Sequence, residues 1–382
     1  MVTTGLRQLA LATTTALLTT LTTAQTWSSC NPLYSTSCPQ NTALGMSIHV
    51  DFTKGAVNSF VPSGGSPTYS SDNGVSFTVA SPGDAPQLAS VFYIMFGRVE
   101  CTMRSAPGAG IVSSLVLISD DLDEIDMEWL GADDTEVQTN YFGKGQTTTY
   151  NRGEFNPAPN NQAEWITYTI DWTADRIVWS VGGTVVRTLK FGDANGQYPQ
   201  TPMQVKFGSW SGGDSANAPG TVEWARGPTD YSKGPFSMHV RSIVVTDYST
   251  GSAYKYGDTS GNWGSIVAVD GKVNGNIGNA GMQTVTATAA AVTNTGVGQS
   301  APTVPAGGIG KGNTATQTGW PWEATGTATV NAGAVPSGWR ITPEGKIVPI
   351  RTNGGRGVRP PGLVLMVGPV MLGLCAVFAG RW

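Results

Sequence analysis

The segment Ile166–Leu189 constrains the fold more than any other. Ile166-Thr-Tyr-Thr-Ile-Asp-Trp172 alternates apolar and polar residues, the pattern of a half-buried strand. Arg176-Ile-Val-Trp-Ser-Val181, then Gly182-Gly183, then Thr184-Val-Val-Arg-Thr-Leu189 follow it. Two strand-like runs joined by two residues that accept positive φ are a hairpin signal. Ile111–Ile118 and Phe236–Val245 read as further strands, and no long segment carries helical periodicity. Strands separated by Gly-rich turns from Trp27 to Tyr256 predict an all-β fold, a sandwich or a barrel.

Composition narrows the function classes. Charged residues make up 13% of the chain, against about 25% in an ordinary soluble domain. The net charge of −4 argues against a nucleic-acid partner, because phosphate binding needs a basic surplus. With two histidines and four cysteines, no zinc-type spacing occurs, and no glycine pattern matches a P-loop or a dinucleotide fold. No metal and no cofactor are expected.

Both ends read as processing signals. After Arg7, Leu9–Leu21 carries no charge, and Thr22-Thr23-Ala24 supplies small residues. Residues 1–24 are therefore expected to be a secretory signal peptide cut after Ala24. At the other end Leu363–Ala379 is apolar, preceded by the polar spacer Arg356–Gly362 and the small triplet Asn353-Gly354-Gly355. Small site, spacer and apolar tail form a GPI signal, with Asn353 the attachment residue and 354–382 removed. A membrane-spanning helix is the alternative, but about 17 apolar residues interrupted by Pro369 is short for one.

Removing both ends takes four arginines and no acid, leaving 18 basic and 26 acidic residues, a net charge of −8. Cys375 leaves too. In an oxidising compartment Cys30 and Cys38, close in sequence, are expected to pair. So short a bridged loop contributes roughly 2–3 kcal/mol. Cys101 alternates with Val99 and Met103 and is expected to be a buried free thiol.

Residues 25–256 are the expected globular domain, and 257–353 an expected tether. Between Trp263 and Trp320 there is no aromatic residue, and between Lys272 and Glu323 the one charge is Lys311. Such a segment has too little bulky apolar surface to offset its ordering entropy. Its Ser/Thr content suggests O-glycosylation, and the chain holds no Asn-x-Ser/Thr sequon.

The densest acidic cluster is Asp120-Asp-Leu-Asp-Glu-Ile-Asp-Met-Glu-Trp-Leu-Gly131. In a strand, Glu124, Asp126 and Glu128 share one face and Ile125, Met127 and Trp129 the other. Three aligned carboxylates repel one another, so stability gives no reason for them. Glycoside hydrolysis gives one: it needs an ionised carboxylate and a protonated carboxyl flanking the scissile bond, and a third acid can raise a pKa by repulsion. Spacing alone leaves the nucleophile ambiguous. Calcium binding and a solvated acidic face are the alternatives.

Asp123-Glu-Ile-Asp-Met-Glu128 matches the Glu-x-Asp-x-Glu signature of glycoside hydrolase family 16. The wider run Ser119–Gly131 resembles the fungal Crh-type chitin–glucan transglycosylases of that family. Gly143–Phe155, Tyr168–Trp172, Tyr198–Met203, Trp210–Asp214, Gly220–Ala225 and Val245–Gly251 match as well. The resemblance implies a concanavalin A-like β-jelly roll whose curved sheet forms a glycan cleft. It implies Glu124 as nucleophile, Glu128 as acid/base and Asp126 as assisting acid, with Lys206, Trp210 and Thr221 contacting sugar. Alternation independently puts Lys206, Gly208 and Trp210 on one face, which suits a sugar platform; core packing is the alternative for Trp210. Gln138 and Asn140 share a face on the next strand and either line the cleft or are solvated. Trp129, Trp172 and Trp179 read as core, and His239 as structural. The chain has too few cysteines for the chitin-binding module that some relatives carry.

The expected function is retaining transglycosylation in the fungal cell wall, from a chitin donor to a β-1,3- or β-1,6-glucan acceptor. The enzyme is expected to be a GPI-anchored monomer at the cell wall and the outer face of the plasma membrane. A plain hydrolase of chitin or β-glucan is the alternative on the same fold. A non-catalytic glycan-binding wall protein is the alternative of another class.

Overall fold

The computed structural model describes residues 28–146, 151–279, 282, 284–287, 339–341 and 347–349. The expected signal peptide, the expected GPI signal with Asn353, and most of the expected tether lie outside the described residues.

Seven strands form the sheet that carries the site: β1 (Phe60–Gly64), β2 (Gln87–Ile94), β3 (Ile111–Ser119), β4 (Glu124–Leu130), β5 (Glu136–Phe142), β6 (Glu154–Pro157) and β7 (Met203–Ser211). Their order is β6-β5-β4-β3-β7-β2-β1, antiparallel throughout. A second sheet packs behind it. Its path runs through Thr184–Lys190, Arg176–Val181, Ile166–Trp172, Gly97–Arg104, Phe236–Asp247, Ser47–Asp51 and Thr284–Thr286. The chain is thus an all-β sandwich of the jelly-roll type. The Gly-Gly hairpin forms where alternation predicted it, with φ of 56° at Gly182 and 82° at Gly183, the twist a two-residue turn requires.

The core between the sheets is aromatic and aliphatic. Phe207 of β7 meets Phe52, Phe60 and Phe77, at ring separations of 5.8, 5.3 and 5.6 Å. Trp129 of β4 meets Tyr168 of the facing sheet edge-on at 4.6 Å. Trp129, Trp172 and Trp179 are fully buried, as is the free Cys101. Cys30 and Cys38 are bridged. His239 is structural, its Nδ1 sharing a 2.8 Å hydrogen bond with Ser76.

The expected domain boundary at Tyr256 needs correction. Ala253–Tyr256 pairs with Ile266–Val269 in a small third sheet that also includes Asn41–Thr42. Asn276 donates to the carbonyls of Gly45, Asp247 and Ser249. Thr284–Thr286 adds a parallel edge strand to Ser47–His49, and Val285 packs in the core. The folded unit therefore runs to Ala287, and low aromatic content misled the reading because short edge strands need few bulky residues. Trp339–Ile341 pairs with Ile347–Pro349, in a stretch that sequence alone left without an account.

A chain ending at Tyr256 loses buried Ile266 and Val285. It should be less stable than one ending at Ala287, on the order of 3 kcal/mol from the apolar burial alone. Urea denaturation of the two checks this, and equal midpoints and slopes would contradict the revised boundary.

Candidate active site

The turn between β3 and β4 fixes where the acidic strand begins. Leu122 takes a φ of 68°, unusual for a branched side chain. Two acids of the run hold this turn. Asp121 accepts from the hydroxyls of Ser119 (2.5 Å) and Thr201 (2.6 Å). Asp123 accepts from the Gln200 amide (2.7 Å) and the Lys144 amide (2.8 Å), and the Thr201 hydroxyl oxygen lies 2.9 Å away from it. Both are fully buried. These two aspartates hold the turn, and Glu124, Asp126 and Glu128 follow on β4.

From that turn β4 runs with Ile125, Met127 and Trp129 fully buried on the core side. Glu124, Asp126 and Glu128 share the opposite face, as alternation predicted. Register aligns their neighbours. Phe142, Asn140 and Gln138 of β5 lie opposite Glu124, Asp126 and Glu128. On the other flank, Ile118, Val116 and Ser114 of β3 oppose the same three acids, and β7 places Gln204, Lys206 and Gly208 beyond them. Lys206 is thus level with Asp126, about 10 Å away across two strand spacings. Trp210 is one step further along, level with Val112.

Burial dominates the electrostatics. Glu124 is 9% exposed and Asp126 is 1% exposed, while Glu128 is half-buried. Burial pushes the Glu124 carboxyl up to about 7, opposed by the Lys206 ammonium and a loose interaction with Asp126. Burial and then the charge of Glu124 push Glu128 up to about 8, opposed by the indole N–H of Trp210. Asp126 is held well above the usual carboxylate range, by burial first and then by Glu128 and Glu124 on either side. Neither Asp126 oxygen has a partner at full hydrogen-bonding distance, and Asn140 Oδ1 beside it is also unpartnered. Orphaned buried polar atoms on a cleft floor suit a ligand that brings its own hydrogen bonds.

The other expected sugar contacts divide. Trp210 stacks on Trp224, with ring centroids 6.1 Å apart and planes 24° from parallel. Trp224 in turn donates through Nε1 to Gln138 Oε1 at 3.0 Å. Thr221 lies on the short helix Pro219–Trp224, so the helix that carries it also supplies Trp224. Sequence reasoning overlooked Trp224 beside Trp210 and Gln138, although it lies within the Gly220–Ala225 match. Gln204 was overlooked as well; it belongs to the same alternation as Lys206 and Trp210, one step before the run that was read. Asp120, the first acid of the cluster, accepts from Asn41 (2.7 Å) and Tyr93 (3.0 Å), and its charge reaches Lys206.

Away from the three strand acids, the described residues enclose a hollow of about 410 Å³ beside Trp263 and another of about 480 Å³ between Pro157 and Val185. Neither contains any of the three strand acids. Among the described residues no group of His, Cys, Asp and Glu is arranged to hold a metal ion.

A jelly roll whose open sheet carries two glutamates about an aspartate defines a protein of the glycoside-processing class. The family model "Glycosyl hydrolases family 16" matches residues 55–226. Crh-like protein 4 of Botryotinia fuckeliana is 65% identical over 347 residues, 89% of this chain and 90% of that protein. Crh-like protein 4 of Aspergillus fumigatus is 48% identical over 345 residues, 89% of this chain and 73% of that protein. The solved structure of a Crh5 transglycosylase in complex with NAG is 50% identical with a TM-score of 0.61, covering 63% of this chain and 99% of that one. The chain belongs to glycosyl hydrolase family 16, among its Crh-like members.

Carboxyls raised by burial also carry a stability signature. The folded state holds the Glu124 proton more tightly than the unfolded chain does, so the contribution is fully present below 4.5 and lost as pH rises through about 7. Glu124→Gln should therefore raise stability by on the order of 2 kcal/mol at pH 8 and by little at pH 4. Urea denaturation of both proteins at the two pH values checks this. A substitution that destabilises at pH 8 would contradict the electrostatic reading.

Proposed function

We propose that this chain is a cell-wall transglycosylase. It cleaves β-1,4-linked N-acetylglucosamine chains by retaining double displacement and transfers them to β-1,3- or β-1,6-glucan. The observation that carries this reading is the asymmetry between the two glutamates. Glu124 has a cation, Lys206, stabilising its charged form and Asp126 beside it. Glu128 has the Glu124 carboxylate opposing its ionisation. These neighbours favour the charged form of Glu124 over that of Glu128. This supports Glu124 as the nucleophile and Glu128 as the acid/base, a direction along the strand that spacing alone left open.

In the first step a Glu124 carboxylate oxygen bonds to the anomeric carbon. The glycosidic C–O bond breaks, and Glu128 passes its proton to the departing oxygen. Asp126, protonated between the two, donates toward Glu124 and steadies the nucleophile. In the second step an acceptor hydroxyl gives its proton to Glu128, its oxygen bonds to the anomeric carbon, and Glu124 leaves as carboxylate. Lys206, Gln138 and Asn140 serve as hydrogen-bond partners of the sugar, with Trp210 as its apolar platform and Thr221 at the helix beside it. The identity shared with a transglycosylase solved with NAG supports both the N-acetylglucosamine donor and transfer over hydrolysis. A signal peptide of residues 1–24 would send this monomer into the secretory route, and a GPI anchor at Asn353 would hold it at the outer membrane face and cell wall. Its partners there are polysaccharides.

The test incubates the enzyme with a chitin oligosaccharide and a labelled laminari-oligosaccharide and resolves products by mass. Labelled products extended by N-acetylglucosamine units are expected. Shortened chitin without labelled hybrids would make the protein a hydrolase, and no change in either sugar would make it a binding protein.

Glu128→Gln should lower transfer from natural chitin oligosaccharides by roughly 10²–10⁴-fold, the usual worth of general acid–base catalysis. Release of a good leaving group that needs no proton, such as a nitrophenolate, should be spared in the first turnover. A rapid-mixing burst measurement checks this, and equal loss with both donors would contradict the acid role.

A further inference from the structure

The described residues expose four aromatic side chains, Tyr34, Phe155, Phe191 and Trp263, and two of these line one hollow. Phe191 is 47% exposed and Trp263 is 38% exposed. The hollow between them, about 410 Å³, is also lined by Arg176, Lys190 and Asp175, and lies within the ~300–1,000 Å³ of small-ligand sites.

Both rings are held rather than loose. Trp263 meets Phe96 edge-on at 6.0 Å, and its amide donates to Gln200 Oε1 at 3.1 Å. Phe191 leans on Tyr198 at 5.2 Å, and its amide donates to the Asp175 carbonyl at 2.8 Å. Arg176 and Lys190 face each other across the hairpin in register, so their donors rise from one strand pair. Two fixed aromatic faces edged by an arginine, a lysine and a carboxylate match the needs of a sugar chain. Rings cover the apolar face of a pyranose, and the charged groups bond to its hydroxyls.

The position matters as much as the chemistry. Gln200, which accepts from Trp263, donates its own amide to Asp123 at 2.7 Å, and Asp123 precedes Glu124. The hollow is thus braced to the Glu124 end of the catalytic strand while lying outside the cleft. We propose that the Trp263–Phe191 hollow is a second, non-catalytic binding site for a β-linked pyranose chain, which holds the enzyme on insoluble polysaccharide while the cleft works. It gives this chain a second point of purchase on polysaccharide, independent of the cleft.

The test uses the full chain with Glu124→Gln, so that turnover does not alter the polymer. Binding to insoluble chitin and, separately, to insoluble β-1,3-glucan is measured by depletion from solution. Adding Trp263→Ala should weaken binding to at least one polymer by about five- to tenfold. The double change Arg176→Ala and Lys190→Ala should weaken binding to the same polymer, and the polymer affected identifies the ligand. The same substitutions on the active background should leave transfer between short soluble oligosaccharides unchanged. Unchanged polymer binding in both variants would overturn the proposal, as would loss of short-oligosaccharide transfer in parallel with binding. Absence of transfer in the unsubstituted enzyme, with Trp263-dependent binding retained, would overturn the catalytic reading and leave the second site standing.

Discussion

The register of β4 is the constraint on which the site depends. Ile125, Met127 and Trp129 are fully buried between the sheets, and their burial is worth several kcal/mol in total. A one-residue slip would turn those three side chains to the cleft and bury three carboxyls in the core. The apolar face thus specifies the position of the acidic face without touching it. Asp121 and Asp123 add a second lock, since the hydroxyls of Ser119 and Thr201 and the amides of Gln200 and Lys144 bond to them and fix the turn at which the strand begins. Two kinds of acid therefore lie side by side in one run: Asp121 and Asp123, which bond to the turn, and the strand acids Glu124, Asp126 and Glu128, of which Asp126 has both oxygens unpartnered.

In the proposed mechanism one strand supplies both a nucleophile and a proton donor. Identical carboxyls in identical surroundings would lose their protons together. Here the surroundings differ by neighbours on adjacent strands: Lys206 stands toward Glu124, while the Trp210 indole stands toward Glu128. Burial first, and then the carboxyls on either side, hold Asp126 well above the usual carboxylate range. Trp224 extends this arrangement sideways. By stacking on Trp210 and donating to Gln138 it joins the platform to the floor, and a six-residue helix is enough to bring it there.

Much of this was legible because strand periodicity is local. Alternation alone put Glu124, Asp126 and Glu128 on one face, Lys206 and Trp210 on one face, and Gln138 beside Asn140. It could not say that the strands carrying them are neighbours in the order β5-β4-β3-β7, because pairing between strands is a long-range choice. The boundary at Tyr256 failed for the same reason. Thr284–Thr286 is three residues long, and its partner, Ser47–His49, lies more than two hundred positions earlier. Nothing in the local composition announces such an edge strand. Asp121 and Asp123 likewise looked like their neighbours, and only Thr201, Gln200 and Lys144, arriving from distant loops, distinguish them as scaffold.

The central claim is that Glu124, and no other acid of the strand, bonds to the sugar. The Glu128→Gln enzyme, supplied with a 2-fluoro chitobiosyl donor carrying an activated leaving group, should accumulate that bond. Proteolysis and mass measurement would then locate it. The account predicts one added disaccharide on the peptide containing Glu124, with fragmentation placing it on that side chain. Attachment to Asp126, or turnover of the donor with inverted anomeric configuration and no attached sugar, would contradict it.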